Sequence, residues 1–302
     1  MTRVIILDGD TLFLDDRVLP HVAEALEVLL RFEGQGKPSL ALSLVSNYEM
    51  PAAPVTLRKI NTIFNQYVAT LDKLRIKEFF EPVERHVTLS TQAGVFIADP
   101  GLFQKAIQRL RLRIGLNECL FIGNDARHVE ACRGLGMTAL LFDRTGKGDF
   151  KDWSEAPLMI ARLVNPASSL NMQLGLQLLL ATTYDVDLIR VLDVHSGNVV
   201  HGLAKKLFPV PLKTKPGATE TIEIPFTVKV DVSFDKGGKI RGVEIDQPTA
   251  EALAESADYV ETLEANKQIS RGAGNLKGSE THELQTDEKG RKVLTRKRFT
   301  QA

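Results

Sequence analysis

The chain is poor in cysteine: its 302 residues include only Cys119 and Cys132. Two thiols cannot build a disulfide framework, and their scarcity points to a reducing, cytoplasmic setting. Long apolar runs are also missing. The most apolar stretch, LGLQLLLA at 174–181, is far short of the roughly 18–20 residues that span a bilayer. At the N-terminus only Val4 to Leu7 are consecutively apolar before Asp8, too few for a secretory signal core. Neither sign of charge dominates, because 38 basic side chains balance 38 acidic ones. Residues 1–150 hold eighteen of each sign, which leaves twenty of each beyond. No domain-wide positive field is present, which argues against bulk nucleic-acid binding. With 43% hydrophobic and 25% charged residues, the chain is neither disordered nor fibrous in composition.

What is present is alternation. RVIIL at 3–7 reads as a buried strand. Val18, Val22, Ala25, Leu26, Leu29 and Leu30 recur at helical spacing over 18–33. SLALSLVS (39–46) is a second strand, followed by helical stretches near 55–70 and 70–80. HVTLS (86–90) is a third strand and 99–115 an amphipathic helix. ECLFIGN (118–124) is a fourth strand, residues 126–137 a helix, and TALLFD (138–143) a fifth strand. This pattern predicts an α/β fold with a doubly wound, mainly parallel sheet. Reactive groups in such sheets lie beyond the carboxyl ends of the strands. Asp8 and Asp10, Ser46 and Asn47, and Asn124 and Asp125 each follow a strand, so three polar clusters are expected at one sheet edge.

After Asp143 the pattern changes. A helix at 156–164 closes a first domain over 1–166, and another covers 168–182 as a joint between domains. Residues 167–302 read as a smaller α+β domain. It has a hairpin over 187–203 turning at Ser196-Gly197-Asn198, an alternating strand at 227–234, and a strand at 239–245. A helix over 248–266 starts at Pro248. Residues 272–279 read as a polar linker, and 282–299 as a terminal hairpin or a mobile arm. His195 and His201 flank the SGN turn, a weak hint of a metal pair. KGRKVLTRKRFTQA (289–302) holds six basic residues and no acidic one, which suggests a polyanion-binding arm or a solvated tail.

The DGD at 8–10 alone reads as a turn, or as two carboxylates with separate duties. One could attack phosphorus while the other moves protons. The order of motifs adds a family. VIILDGDTL resembles the first motif, hhhhDxDxT, of the haloacid dehalogenase-like (HAD) superfamily of phosphohydrolases. LSLVSN (42–47) resembles the second, EPVERHVTLSTQAGVFIADPGLF (81–103) the third, and CLFIGNDARHVEACRGLGM (119–137) the fourth. The resemblance covers residues 3–143, about half the chain. It implies a HAD-like Rossmannoid fold and a phosphorylated substrate. Asp8 would be the nucleophile that forms an aspartyl-phosphate and Asp10 the acid/base. Mg²⁺ would be held by Asp8, Asp10 and Asp125 with Asn124. Ser46 and Asn47 would bind the phosphoryl group, or Ser46 would cap the following helix. With Asp8 and Ser46 only 38 positions apart, no large cap is expected.

Three motifs depart from the family, the first in that Thr11 follows Asp10 directly and Leu12 stands where the family usually has Thr or Val. Its third-motif lysine is Ile97 here, and Lys105 is poorly placed to replace it. Arg127 stands nearer the fourth motif, as a substrate-binding cation or as a solvated helix residue. Asn124 and His128 stand where the family carries acids, and magnesium prefers hard oxygen ligands to imidazole. Two readings follow. One is a Mg²⁺-dependent phosphohydrolase with a modified site. The other is a pseudoenzyme, a HAD-like scaffold that serves as a protein-binding or assembly component through residues 167–302.

Overall fold

The computed structural model describes residues 2–34, 40–193, 197–215, 218–271 and 280–296. The chain opens with strand β1 (Val4–Asp8), buried throughout. A small hairpin, β2 (Phe13–Leu14) and β3 (Arg17–Val18), comes next. Its turn residues Asp15 and Asp16 both have positive φ, which aspartate tolerates better than most residues. This hairpin displaces the start of the helix expected from residue 18. Helix α1 instead runs Val22–Leu30.

Strand β4 (Ala41–Ser46) precedes helix α2 (Leu57–Lys73), which Thr56 caps by accepting the Lys59 N–H at 3.3 Å. Arg75 at φ 58° ends helical backbone there, and only a short 3-10 turn follows at Lys77–Phe80. Short helix α3 (Val83–His86), strand β5 (Val87–Leu89) and short helix α4 (Ser90–Ala93) follow. Helix α5 (Pro100–Arg109) starts at an Asp99 cap that accepts the Gly101 N–H at 2.8 Å. It stops well before the expected residue 115 because Arg111 turns left-handed. Strand β6 (Cys119–Gly123), helix α6 (Ala126–Gly134) and strand β7 (Thr138–Leu141) complete the sheet.

The five long strands are all parallel, in the order β5-β4-β1-β6-β7. This is the doubly wound sheet expected, with β1 at the point where strand order reverses. Strand pleating sends Val4 and Ile6 to the face covered by Phe103 of α5 and by Val129 and Cys132 of α6. Ile5 and Leu7 are fully buried as well. Covering both faces is what permits an unbroken apolar strand. Cys119 and Cys132 are free and buried, and burial pushes both thiols up to about 12.

Helices α7 (Ala156–Val164) and α8 (Ser169–Leu179) pack against each other and on α1. The Asn171 carboxamide bonds both ways to Glu33, accepting its N–H at 2.9 Å and donating to its carbonyl at 2.8 Å. A Cβ on Gly175 would stand 2.6 Å from the Leu158 backbone, so only glycine permits the α7–α8 crossing. Helix α8 is therefore an internal element of the first unit, not a joint between domains. The first compact unit comprises residues 1–184, 193–200 and 232–242, and the second comprises the rest. The division falls later than the expected 166/167 because α8 buries its apolar face on α7 and α1.

Strands β8 (Val186–Asp193), β9 (Val199–Lys215), β10 (Ala218–Phe234) and β11 (Ile240–Ile245) lead to helix α9 (Ala250–Ala265). Thr249, rather than Pro248, caps α9 by accepting the Ala252 N–H at 3.2 Å. Strands β12 (Ile269–Ser270), β13 (His282–Thr286) and β14 (Lys292–Arg296) follow. The sheet order is β12-β13-β14-β10-β9-β8, with β11 on β10. The second unit's core is Val210, Ile222, Val260, Leu263 and Leu294. The alternation at 227–234 has its expected outcome, since Val228, Val230, Val232 and Phe234 are all buried.

The terminal hairpin forms as β13 and β14. Three of its basic residues are engaged: Lys289 and Arg291 both pair with Asp185, Arg291 also with Asp287, and Lys292 with Glu220. The linker at 272–279, His195, Ser196 and residues 297–302 lie outside the described residues. His201 bonds Asp231 at 2.7 Å. No described helix is long and apolar enough to cross a membrane.

Candidate functional site

Parallel register brings three strand ends together. Asp8 lies beside Val45, one residue before Ser46. On the other side Leu7 lies beside Ile122, one residue before Gly123. Asp8, Ser46 and the Gly123-Asn124-Asp125 turn therefore share one edge of the sheet, as the motif order implies.

Asp8 is 2% exposed. Its carboxylate accepts the Asp10 N–H at 3.3 Å, and its carbonyl accepts the Thr11 hydroxyl at 2.7 Å. These bonds wind residues 9–11 into a 3-10 turn that swings Asp10 into the open. Burial raises the Asp8 pKa to about 7, with Asp10 and Asp125 adding repulsion. Both of those charges are negative. Partial loss of water also raises Asp10, while neighbouring His128 opposes the rise.

Position 97 explains the absent cation. Ile97 is 5% exposed and packs in the core with Val45, Leu102 and Phe103. Its N–H donates to the Asn47 side-chain carbonyl at 2.7 Å. Asn47 thus fastens the loop before α5 to the end of β4, and that oxygen is committed to structure. Ser46 does not cap a helix, since α2 begins eleven residues later at Leu57. Its hydroxyl lies instead by Gly9 and Tyr67. A Cβ on Gly9 would meet the Ser46 Oγ at 3.2 Å and the Tyr67 hydroxyl at 2.3 Å.

Tyr67 was not singled out by the motifs. It comes from α2 on the same face as Phe64 and Leu71, so its helical spacing reads only as core. Its ring is held edge-on by Tyr48 at 5.0 Å and tilted by Phe13 at 6.3 Å. Its hydroxyl is fully buried near Ser46 yet makes no hydrogen bond of good geometry. Burial raises its pKa, and Asp8 and Asp10 raise it further.

The fourth-motif cluster is tied within itself. Asp125 caps α6, accepting the Arg127 N–H at 2.8 Å, and its two oxygens also accept from the Arg127 guanidinium at 3.2 and 2.7 Å. Those bonds hold its pKa well below the usual carboxylate range. Arg127 is 89% exposed along its side chain and grips Asp125 from the solvent side. The Asn124 amide donates to the Asp10 carbonyl at 3.3 Å. A cation there would need an oxygen where this N–H₂ points. Among the described residues no three His, Cys, Asp or Glu side chains stand together as a metal cluster. As arranged, these residues do not fit the Mg²⁺ shell that the resemblance implies.

A second group was not legible at all. Arg144, in the turn after β7, lines a cleft together with Asp10 and Asn124. No spacing or motif marks it.

The sheet order makes the first unit a doubly wound, parallel α/β unit, with the four motif segments placed as the resemblance implies. No known protein family matches the chain by sequence, and no curated protein matches it. Solved structures are similar to it, two of them over about half of the chain. An uncharacterized protein from Corynebacterium glutamicum ATCC 13032 Kitasato has 16% identity and a TM-score of 0.30, over 48% of this chain and 88% of that one. A HAD phosphatase from Thermococcus onnurineus has 17% identity and a TM-score of 0.33, over 49% of this chain. The match spans 58% of that phosphatase.

Proposed function

We propose that the first unit is a phosphohydrolase-lineage scaffold without efficient turnover, and that the chain works as a binding or assembly component. One observation carries this reading: side chain 97 is core, and the charged neighbours that act on Asp8 are the carboxylates Asp10 and Asp125. A phosphoryl group would bring more negative charge to two carboxylates. Each like-charge pair at about 4 Å costs on the order of 4 kcal/mol at an effective dielectric near 20. Arg127 is spent on Asp125 from the solvent side and Arg144 is exposed at the neighbouring cleft, so no cation buried beside Asp8 offsets that cost. The second unit would supply the contact surface. Strand β8 ends its sheet order and exposes Ile189 and Leu192, and edge strands of this kind accept a partner.

The rival reading is a Mg²⁺-dependent phosphatase acting through an Asp8 aspartyl-phosphate. The Asp8–Asp10 turn favours it, because it sets a buried carboxylate beside a more open one. It requires the Asp125–Arg127 pair to open and free a carboxylate. A phosphatase substrate panel with Mg²⁺, run on wild type and Asp8→Asn, tests the two. Equal or absent turnover in both proteins is expected. Turnover that disappears in Asp8→Asn would establish the phosphatase.

A further inference from the structure

The cleft beside Asp10 has its own construction. It encloses about 210 Å³, smaller than the roughly 300–1,000 Å³ of sites for drug-sized ligands. Leu14 of the β2–β3 hairpin, Leu19 and Phe142 give it an apolar wall, and Asp10, Asn124, Asp143 and Arg144 a polar side. The wall is fixed from behind. Phe142 packs on Phe150 and Trp153 at 5.3 and 6.2 Å, and the Trp153 Nε1–H donates to the Thr11 carbonyl at 2.7 Å. That bond ties the wall to the turn that carries Asp10.

The turn that presents Arg144 is equally fixed, and its carboxylates are bonded elsewhere. Asp143 accepts the Thr145 N–H at 2.8 Å and its hydroxyl at 2.9 Å. Asp149 accepts the Leu141 N–H at 2.7 Å and pairs with Arg133. Lys239 donates to the Gly146 and Gly148 carbonyls at 3.3 and 2.7 Å. Arg144 is exposed and makes no ion pair among the described residues. A held turn thus presents an unpaired guanidinium at the rim of an apolar cleft, the arrangement that recognises an oxyanion on an apolar body.

We propose that this cleft binds a small organic oxyanion, a carboxylate or phosphate on an apolar body, with Arg144 taking the anion and Leu14, Leu19 and Phe142 the body. Asp10 repels an anion at its own end and so sets the direction of binding. It accepts a hydrogen bond from a hydroxyl on the ligand. Binding requires no turnover at Asp8 and holds under either reading of the first unit.

Calorimetric titration of the full chain tests this with phenylphosphonate, phenylacetate, inorganic phosphate and benzylamine. One or both of the aromatic anions saturate the protein, and which one binds distinguishes phosphate from carboxylate recognition. Arg144→Gln weakens that binding by roughly tenfold to a hundredfold, the loss of a charge-assisted pair. Leu14→Asp weakens it too. Inorganic phosphate, lacking the apolar body, binds about tenfold more weakly or worse. Leu14 and Arg144 are exposed, and circular dichroism verifies that both variants fold. Equal affinity in Arg144→Gln, stronger binding of benzylamine, or no saturation by either aromatic anion into the millimolar range overturns the proposal.

Discussion

The side-chain carbonyl of Asn47 accepts the backbone N–H of Ile97 at 2.7 Å. This bond joins the end of β4 to the loop where the resemblance expects a lysine. It also directs side chain 97 inward, against Val45 and Phe103. The missing cation is therefore a feature of loop and core together.

Ile97→Lys should not restore a working site. An ammonium placed in this core is buried without a partner, and the fold should lose about 3 kcal/mol. Urea denaturation measures the loss, and a phosphatase assay on the same sample should stay at background. A stable Ile97→Lys protein with new activity would show that the loop can turn the side chain outward. Asn47→Ala should cost about 1–3 kcal/mol, because the Ile97 N–H loses its acceptor.

Asp8 makes stability depend on pH in a definite direction. An unfolded aspartate titrates at 3.8, whereas folded Asp8 titrates at about 7. Between those values the native state holds the extra proton, so stability falls as pH rises. The slope is at most about 1.4 kcal/mol per pH unit, and the total about 4 kcal/mol. Carboxylates with depressed values, such as Asp185 and Glu220, act oppositely and lose their contribution below about pH 4. Asp8→Asn isolates the effect. The variant should exceed wild type in stability at pH 8, with the gap closing toward pH 4. A gap that does not change with pH would contradict burial as the cause.

Gly9 and Tyr67 should show coupled energetics. Tyr67→Phe removes a buried hydroxyl without a partner and should be neutral or stabilising by about 1 kcal/mol. Gly9→Ala places a methyl 2.3 Å from that hydroxyl and should cost about 1–3 kcal/mol. In the Tyr67→Phe background much of that cost should vanish. A double-mutant cycle by chemical denaturation reads the coupling, and simple additivity would place the strain elsewhere.

The terminal hairpin should depend on Glu220, which pairs with both Lys292 and Arg271. Its side chain is largely shielded from solvent, so the pairs count for more than open surface bridges. Glu220→Gln should destabilise the protein by about 1–2 kcal/mol. The difference should shrink in 1 M salt as screening weakens the wild-type pairs. No loss at low salt would mean that the hairpin is held by its strand pairing alone.

The sequence by itself determined the first unit's sheet. Runs such as Val4–Leu7 and Cys119–Ile122 are too apolar for anything but strands covered on both faces, and the intervening helices force a parallel winding. It also determined where the polar clusters meet, because the ends of parallel strands share an edge. The β2–β3 hairpin was hidden, since two-residue strands have no readable period, and it took four residues from the expected first helix. The fates of Asn47, Asp125 and Arg127 were hidden too. Residue type marks each as a group that can bind, yet Asn47 spends that capacity on the Ile97 backbone, and Asp125 and Arg127 on each other. Tyr67 and Arg144 carry no motif. One is aimed at Gly9 by the packing of α2, and the other is left unpaired by a turn whose carboxylates bond to Thr145, Leu141 and Arg133. Only the tertiary structure decides such matters, because whether a polar group is free depends on which partners the fold has already placed within hydrogen-bond reach.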